Sequence, residues 1–298
     1  MPAHVSRAKL FAAFAAIYFI WGSTYLFIKF AIAGIPPFMV GASRFLLAGS
    51  VLYLWARLSS GVKPEKQHWR DGIMLGVFLL GVGNGCVVWA EQHISSGITA
   101  LIVAVVPLLV VVIDWLRPGG RHPGMSALLG VVIGLGGMAL LIGPSAFLGA
   151  RDVDPLSAVV LFIGSLSWSA ATVFGKRARV PPVPLLASAI QLLGGALFLT
   201  AVSLIVGEPA RVQLAEIPPR ALLSVLYLAL FGSIVAYSAY SWLLRVATPT
   251  QIATYAYVNP IVAMFLGWLF ASEEMSMRVL IAAAIVLAGV ALITRRRA

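Results

Sequence analysis

Two spacings recur in this chain and restrict the folds open to it. Trp89 stands eighteen residues before Pro107, and Trp115 stands eight after it; Trp242, Pro260 and Trp268 repeat both distances. Trp21 precedes Lys29 by eight residues, as Trp168 precedes Lys176. Six of the eight tryptophans therefore fall into matched pairs, offset by 147 residues early in the repeat and 153 later. The chain reads as two copies of one unit, over residues 1–145 and 146–298.

The unit is written for lipid. Runs rich in apolar residues, each long enough to cross ~30 Å of hydrocarbon, cover roughly 10–32, 37–58, 70–90, 95–116, 124–143, 155–178, 183–206, 219–243, 247–271 and 276–294. With 61% hydrophobic and 10% charged residues, the chain has more apolar sequence than a soluble interior of this size can hide. The expected fold class is an all-α polytopic membrane protein of ten transmembrane helices, arranged as two five-helix repeats. Arg7 and Lys9 before the first run suggest a signal peptide. However, Trp21 and Lys29 have counterparts deep in the chain, where no such peptide stands. Gly143–Asp154 is the expected linker, and the single cysteine, Cys86, lies inside an apolar run, where packing is its expected role.

Basic residues set the orientation. With the N-terminus cytoplasmic, fifteen lysines and arginines fall on the cytoplasmic side: Arg7, Lys9, Arg57, Lys63, Lys66, Arg70, Arg117, Arg121, Lys176, Arg177, Arg179, Arg245 and Arg295 to Arg297. Four fall opposite: Arg151, Arg211, Arg220 and Arg278. Both termini are expected to be cytoplasmic. The net charge of +11 is then mainly an orientation signal rather than a nucleic-acid footprint.

Five helices per repeat place the second copy upside down relative to the first. Inverted repeats are typical of secondary transporters, whose substrate sits near the midplane between the halves. Polar and aromatic side chains inside the runs mark the expected cavity. Trp21, Tyr25 and Lys29 recur every fourth residue on one face of the first helix. Asn84 and Trp89 come from the third helix, Trp168 from the sixth, and Tyr237, Tyr240 and Trp242 from the eighth. The ninth contributes Thr250, Thr254 and Tyr257 as one stripe, and Gln251, Tyr255 and Asn259 as another. Interhelical hydrogen bonding would explain the ninth-helix pattern without a cavity, and interfacial anchoring would explain Trp89 and Trp242.

Pro107 and Pro260 fall in matched positions, each removing a backbone donor from the carbonyl four residues back, at Val103 and Ala256. They are expected to act as paired hinges, with static kinks the plainer reading. Lys29 and Arg44 are the charged residues within the runs, costly there by about 2.5–3.5 kcal/mol on insertion scales. Either they snorkel to the interface or they hold a substrate carboxylate on its way through. Glu91, Asp114 and Glu273 all fall near helix ends, and the histidines are in tails and loops. A midplane proton relay has no obvious carrier.

The chain resembles the EamA-type exporters of the drug/metabolite transporter superfamily. The likeness rests on Trp21-Gly-Ser-Thr-Tyr through Lys29, on Arg44-Phe-Leu-Leu-Ala-Gly, on the Pro107 and Pro260 helices with Trp115 and Trp268, and on Glu273 closing the ninth helix. Arg117-Pro-Gly-Gly-Arg-His-Pro follows Trp115, so the first half lacks an equivalent of that acid. Among such proteins the aromatic-rich helices look most like bacterial aromatic amino-acid exporters. The resemblance implies a small-molecule cargo, a bacterial inner-membrane location among lipid, no cofactor or metal, and no nucleic-acid partner. Two other cargoes stay open: a phosphorylated or otherwise anionic metabolite would suit Lys29 and Arg44, and a drug would suit an efflux protein. No His-Glu-x-x-His, Gly-x-Ser-x-Gly or phosphate-cradling glycine loop points to an enzyme, and no catalytic residue is expected.

Overall fold

The computed structural model describes residues 6–120, 122–142, 153–247, 249–252 and 254–294. Among these the chain is helical, without strands. Only helices or closed barrels satisfy every backbone group inside hydrocarbon, and the apolar runs take the first course. Among the described residues seven helices are long and apolar enough to cross a membrane: α1 (Arg7–Ile32), α2 (Pro37–Ser60), α3 (Lys66–Ala90), α4 (Ser96–Leu116), α6 (Pro155–Arg177), α7 (Pro184–Ile205) and α8 (Pro219–Tyr240). Three shorter apolar helices complete the series: α5 (Met125–Leu141), α9 (Tyr255–Ala271) and α10 (Met277–Leu292). Most of the expected linker lies outside the described residues. So do Arg121, Arg151 and Arg295 to Arg297, and the side chains of Ser241, Arg245 and Thr250.

Proline opens α2, α6, α7 and α8, where its missing N–H would have had no helical partner. Large apolar side chains such as Phe11, Leu58 and Ile205 stay 77–83% exposed on the outside of the bundle, as a lipid-facing surface requires. Glycine sets the tightest crossings. A Cβ at Gly76 would lie 2.0 Å from the Gln191 carbonyl oxygen, so α3 and α7 touch backbone to backbone. At Gly289 it would lie 2.5 Å from the Gly134 nitrogen, which seats α10 on α5.

The two prolines break symmetry. Around Pro107 the helix is interrupted: Ser96–Val103 ends, Ala104 and Val105 form a turn, and Val106–Leu116 resumes. Pro107 is thus an opening residue of a new segment, and Leu108 and Leu109 donate to the Val105 carbonyl (2.9 and 3.1 Å). Pro260 stays inside the continuous helix Tyr255–Ala271. The run expected from residue 247 is instead divided, with Pro249–Ile252 a separate short helix. Equal distortions were expected from equal spacing, but one helix is broken just before its proline and the other runs through.

A second pair of irregularities does follow the repeat. Val77–Asn84 within α3 and Leu228–Val235 within α8 are both wide π turns of eight residues, starting 151 residues apart. A π turn leaves carbonyls without their usual donors and opens space beside the helix. Two of these carbonyls find donors on other helices. The Trp21 indole donates to Gly232 (3.1 Å), and the Ser167 hydroxyl donates to Phe78 (2.8 Å).

Candidate substrate cavity

The π turns, the α4 break and the start of α9 face one central cavity. Its walls include Trp21, Thr24 and Tyr25 of α1, Arg44 of α2, Asn84 of α3, Pro107 of α4, Trp168 of α6, Tyr237 of α8, and Tyr255, Asn259 and Pro260 of α9. About 120 Å³ is open to the centres of water molecules. That is room for roughly ten waters, or a cargo with about as many heavy atoms.

An aromatic cluster supplies three of the walls, Trp21, Tyr237 and Tyr255, with Tyr240 packed against Trp21. Trp21 meets Tyr255 edge-on at 5.4 Å and Tyr240 tilted at 5.2 Å, with Tyr237 at 6.3 Å. Tyr237 is held by donating to the Gln191 side chain (3.2 Å). Below this group the Tyr18 and Thr254 hydroxyls are hydrogen-bonded, joining α1 to the residue before α9. The aromatic faces suit a flat apolar side chain or a cation.

Polarity in the cavity is sparse. Arg44 is 5% exposed; its Nε donates to Ser233 Oγ (2.9 Å), and its guanidinium lies 5.0 Å over the Phe45 ring. Gly232 admits the guanidinium, since a Cβ there would lie 3.1 Å from Nη2. Nη1 of Arg44 and Oδ1 of Asn84 are buried without a partner among the described residues. Each is a group that a polar cargo can satisfy.

Lys29 departs from the expected role. It does not line the cavity. Its ammonium donates to the backbone carbonyls of Glu91 (2.7 Å) and Ile94 (3.0 Å), pinning the α3–α4 turn to α1. Trp89, Tyr240, Trp242, Thr254 and Tyr257 are not cavity walls either. Trp89 packs on His93 at 5.1 Å, Trp242 joins the Ile17–Leu243–Ile252 cluster, and Tyr257 donates to the Val290 carbonyl (2.8 Å). Trp21, Tyr25, Asn84, Trp168, Tyr237, Tyr255 and Asn259 line this one cavity, and Arg44 and both prolines stand on its walls beside them.

Two acids, of which only Glu273 drew notice in the sequence, hold other helices in place. Glu273 accepts from Ser96 N (2.7 Å), Ser96 Oγ (2.9 Å) and Gly97 N (3.2 Å), closing the N-terminus of α4. Glu208 accepts from Phe38 N (3.1 Å), Met39 N (2.9 Å) and Ser203 Oγ (2.8 Å), closing that of α2. Helix N-termini present free N–H groups and a positive dipole end, so each carboxylate is well matched. Glu91 has no such partners. It stands in the turn after α3, 0% exposed, and neither carboxylate oxygen is hydrogen-bonded among the described residues.

Comparison with known proteins agrees with this architecture. The model of the EamA-like transporter family matches residues 8–143 and again 155–295. The chain is 37% identical over 287 residues to the "Uncharacterized inner membrane transporter YedA" of Escherichia coli (strain K12), covering 96% of this chain and 90% of that protein. It is 24% identical over 284 residues to the "Uncharacterized transporter YoaV" of Bacillus subtilis (strain 168), covering 95% of each. A solved crystal structure shares the fold with a TM-score of 0.65 at 21% identity, covering 96% of both chains.

Proposed function

Since the chain belongs to the EamA-like transporter family, a family of multi-pass membrane transporters, we propose that it is a secondary transporter exporting neutral amino acids, aromatic ones among them, across the bacterial inner membrane. The observation that carries this reading is the cavity's chemistry: a guanidinium nitrogen on Arg44, unsatisfied among the described residues, in a space also walled by Trp21, Trp168, Tyr237 and Tyr255. The cargo carboxylate would take Arg44, its side chain the aromatic wall. The Asn84 amide would meet the ammonium, with cation–π attraction of roughly 0.5–2 kcal/mol from the rings.

A phosphorylated cargo has less support, because Arg44 is the lone basic side chain on the walls described. A cationic drug has less still, since no carboxylate lines the space among the described residues.

In this reading all ten apolar helices cross the membrane as two inverted halves, residues 1–145 and 146–298, with both termini cytoplasmic. Alternating access would exchange the conformations of the halves around the cavity, with the α4 break at Ala104–Val105 as one point of bending. The remaining chain supports this motion without catalysing a reaction.

The test is counterflow of labelled phenylalanine in liposomes, with a dipeptide, a sugar phosphate and a quaternary ammonium compound as competitors. Phenylalanine exchange blocked by other neutral amino acids is expected. Carriage of the phosphate alone, or of the cation alone, would refute the assignment.

A further inference from the structure

The break in α4 has a chemistry that a point of bending does not require. Pro107 has no N–H for the Val103 carbonyl, and Leu108 and Leu109 both donate to Val105, bypassing Ala104. The Val103 and Ala104 carbonyls therefore lack their helical donors, and both residues wall the cavity. They also end the segment Ser96–Val103, so the negative end of its dipole, about half an elementary charge, falls there.

Two side chains add acceptors. Ser165 of α6 is 3% exposed and walls the cavity, and its Oγ has no partner among the described residues. One turn on, Ser169 Oγ donates to the carbonyls of Ser165 (2.7 Å) and Val106 (3.2 Å), tying α6 to the resumed part of α4. In the ten-helix topology α4 and α6 run the same way, so four residues back on each brings Ser165 beside Ile102 and Val103. A Cβ on Gly164 would lie 3.0 Å from the Gly83 carbonyl oxygen, so α3 and α6 cross backbone to backbone there. Asn84 and Ser165 are the next residues on each helix, and Asn84 Oδ1 is likewise buried and unpartnered among the described residues. These acceptors are neutral. A metal ion would find no carboxylate among the described walls, whereas a primary ammonium brings three directed donors to neutral oxygens.

We propose that the α4 break is the ammonium subsite of the cargo cavity and restricts the cargo to primary amines. Its acceptors are the Val103 and Ala104 carbonyls, Asn84 Oδ1 and Ser165 Oγ. The proposal rests on the amino-acid reading above and deepens it. A Cβ at Gly41 on α2 and one at Gly85 on α3 would both meet Leu199, at 2.6 and 2.9 Å, so the two helices are level there. Arg44 and Asn84 then stand within about one turn of each other in height, and one α-amino acid spans carboxylate and ammonium subsites. Methylating the nitrogen removes its donors and keeps its charge, so this subsite rejects what a purely aromatic cage accepts.

Equilibrium binding to the purified protein tests this. Phenylalanine should bind tighter than 3-phenylpropionate, which lacks the ammonium, and than N,N,N-trimethylphenylalanine, each by roughly ten- to hundredfold. Ser165→Ala should weaken phenylalanine by about tenfold and leave 3-phenylpropionate unchanged. Asn84→Asp, which adds a charge to the same subsite, should widen the preference for phenylalanine over 3-phenylpropionate. Replacing sodium by N-methylglucamine should change none of this. Trimethylphenylalanine bound as tightly as phenylalanine would put the cation on the aromatic rings and overturn the proposal. So would a sodium requirement, or equal weakening of phenylalanine and 3-phenylpropionate in Ser165→Ala. If phenylalanine does not bind, phenethylamine separates the two readings. Phenethylamine binding that Ser165→Ala weakens keeps the ammonium subsite while the amino-acid reading fails, and no binding of either ligand overturns both.

Discussion

The Lys29 ammonium lies 2.7 Å from the backbone carbonyl of Glu91 and forms no salt bridge with its carboxylate. Lysine is thereby a bolt for the turn between α3 and α4. Replacing Lys29 by methionine keeps the apolar stem but removes two charge-assisted bonds. The turn should loosen, with stability reduced by about 1.5–3 kcal/mol, read as a lower melting temperature in detergent. Phenylalanine affinity should change little, because the ammonium is not a cavity wall. A large affinity loss at unchanged stability would return Lys29 to the cargo site.

Glu273 and Glu208 each close the N-terminus of a helix far away in sequence. Glutamine at either position keeps the shape but loses the charge and half the acceptor capacity. We expect each variant to lose about 1 kcal/mol or more of stability, as helix N-cap removals do. Glu216, exposed in the same α7–α8 loop as Glu208, serves as the control and should be neutral when replaced by glutamine. Equal melting temperatures for all three variants would show that the caps contribute nothing.

Spacing and hydropathy revealed the apolar helices and the aromatic wall because both are periodic. Trp21 and Tyr25, one turn apart on α1, fall on the same side, and the structure puts both against the cavity. Lys29 continues that stripe and yet turns away, since a long side chain goes where acceptors are, and those belong to a distant turn. The π turns at residues 77–84 and 228–235 left no mark in composition; the matched glycines Gly81 and Gly232 within them were the available hint. Glu91 was placed at a helix end, where most carboxylates meet water. Its burial comes from tertiary packing, which no local pattern records.

The prolines now separate into unequal partners. Pro107→Ala restores an N–H that can donate to Val103 and so heal the break at Ala104–Val105. Counterflow should fall severalfold while the melting temperature holds or rises, because the Pro-to-Ala change favours an unbroken helix by up to ~3 kcal/mol. Pro260→Ala, in a helix already continuous, should have the smaller effect on transport. Equal losses at both sites would support paired hinges.

The cargo assignment turns on Arg44. Its Nη1 is buried and unpartnered among the described residues, and Nε is fixed by Ser233, so the guanidinium is held in place before cargo arrives. A carboxylate meeting it gains a charge-assisted bond of about 1.5–3 kcal/mol, roughly ten- to hundredfold in affinity. Phenethylamine has the aromatic ring and ammonium of phenylalanine without the carboxylate, so it isolates this contact. The unmodified protein should prefer phenylalanine over phenethylamine by that factor in competition assays. Arg44→Gln should erase the preference by weakening phenylalanine alone, and Arg44→Lys should recover part of it, since a point charge cannot reproduce the guanidinium fork. Equal weakening of both ligands would mean that Arg44 shapes the cavity through Ser233 and Phe45, and the carboxylate would have to be sought elsewhere.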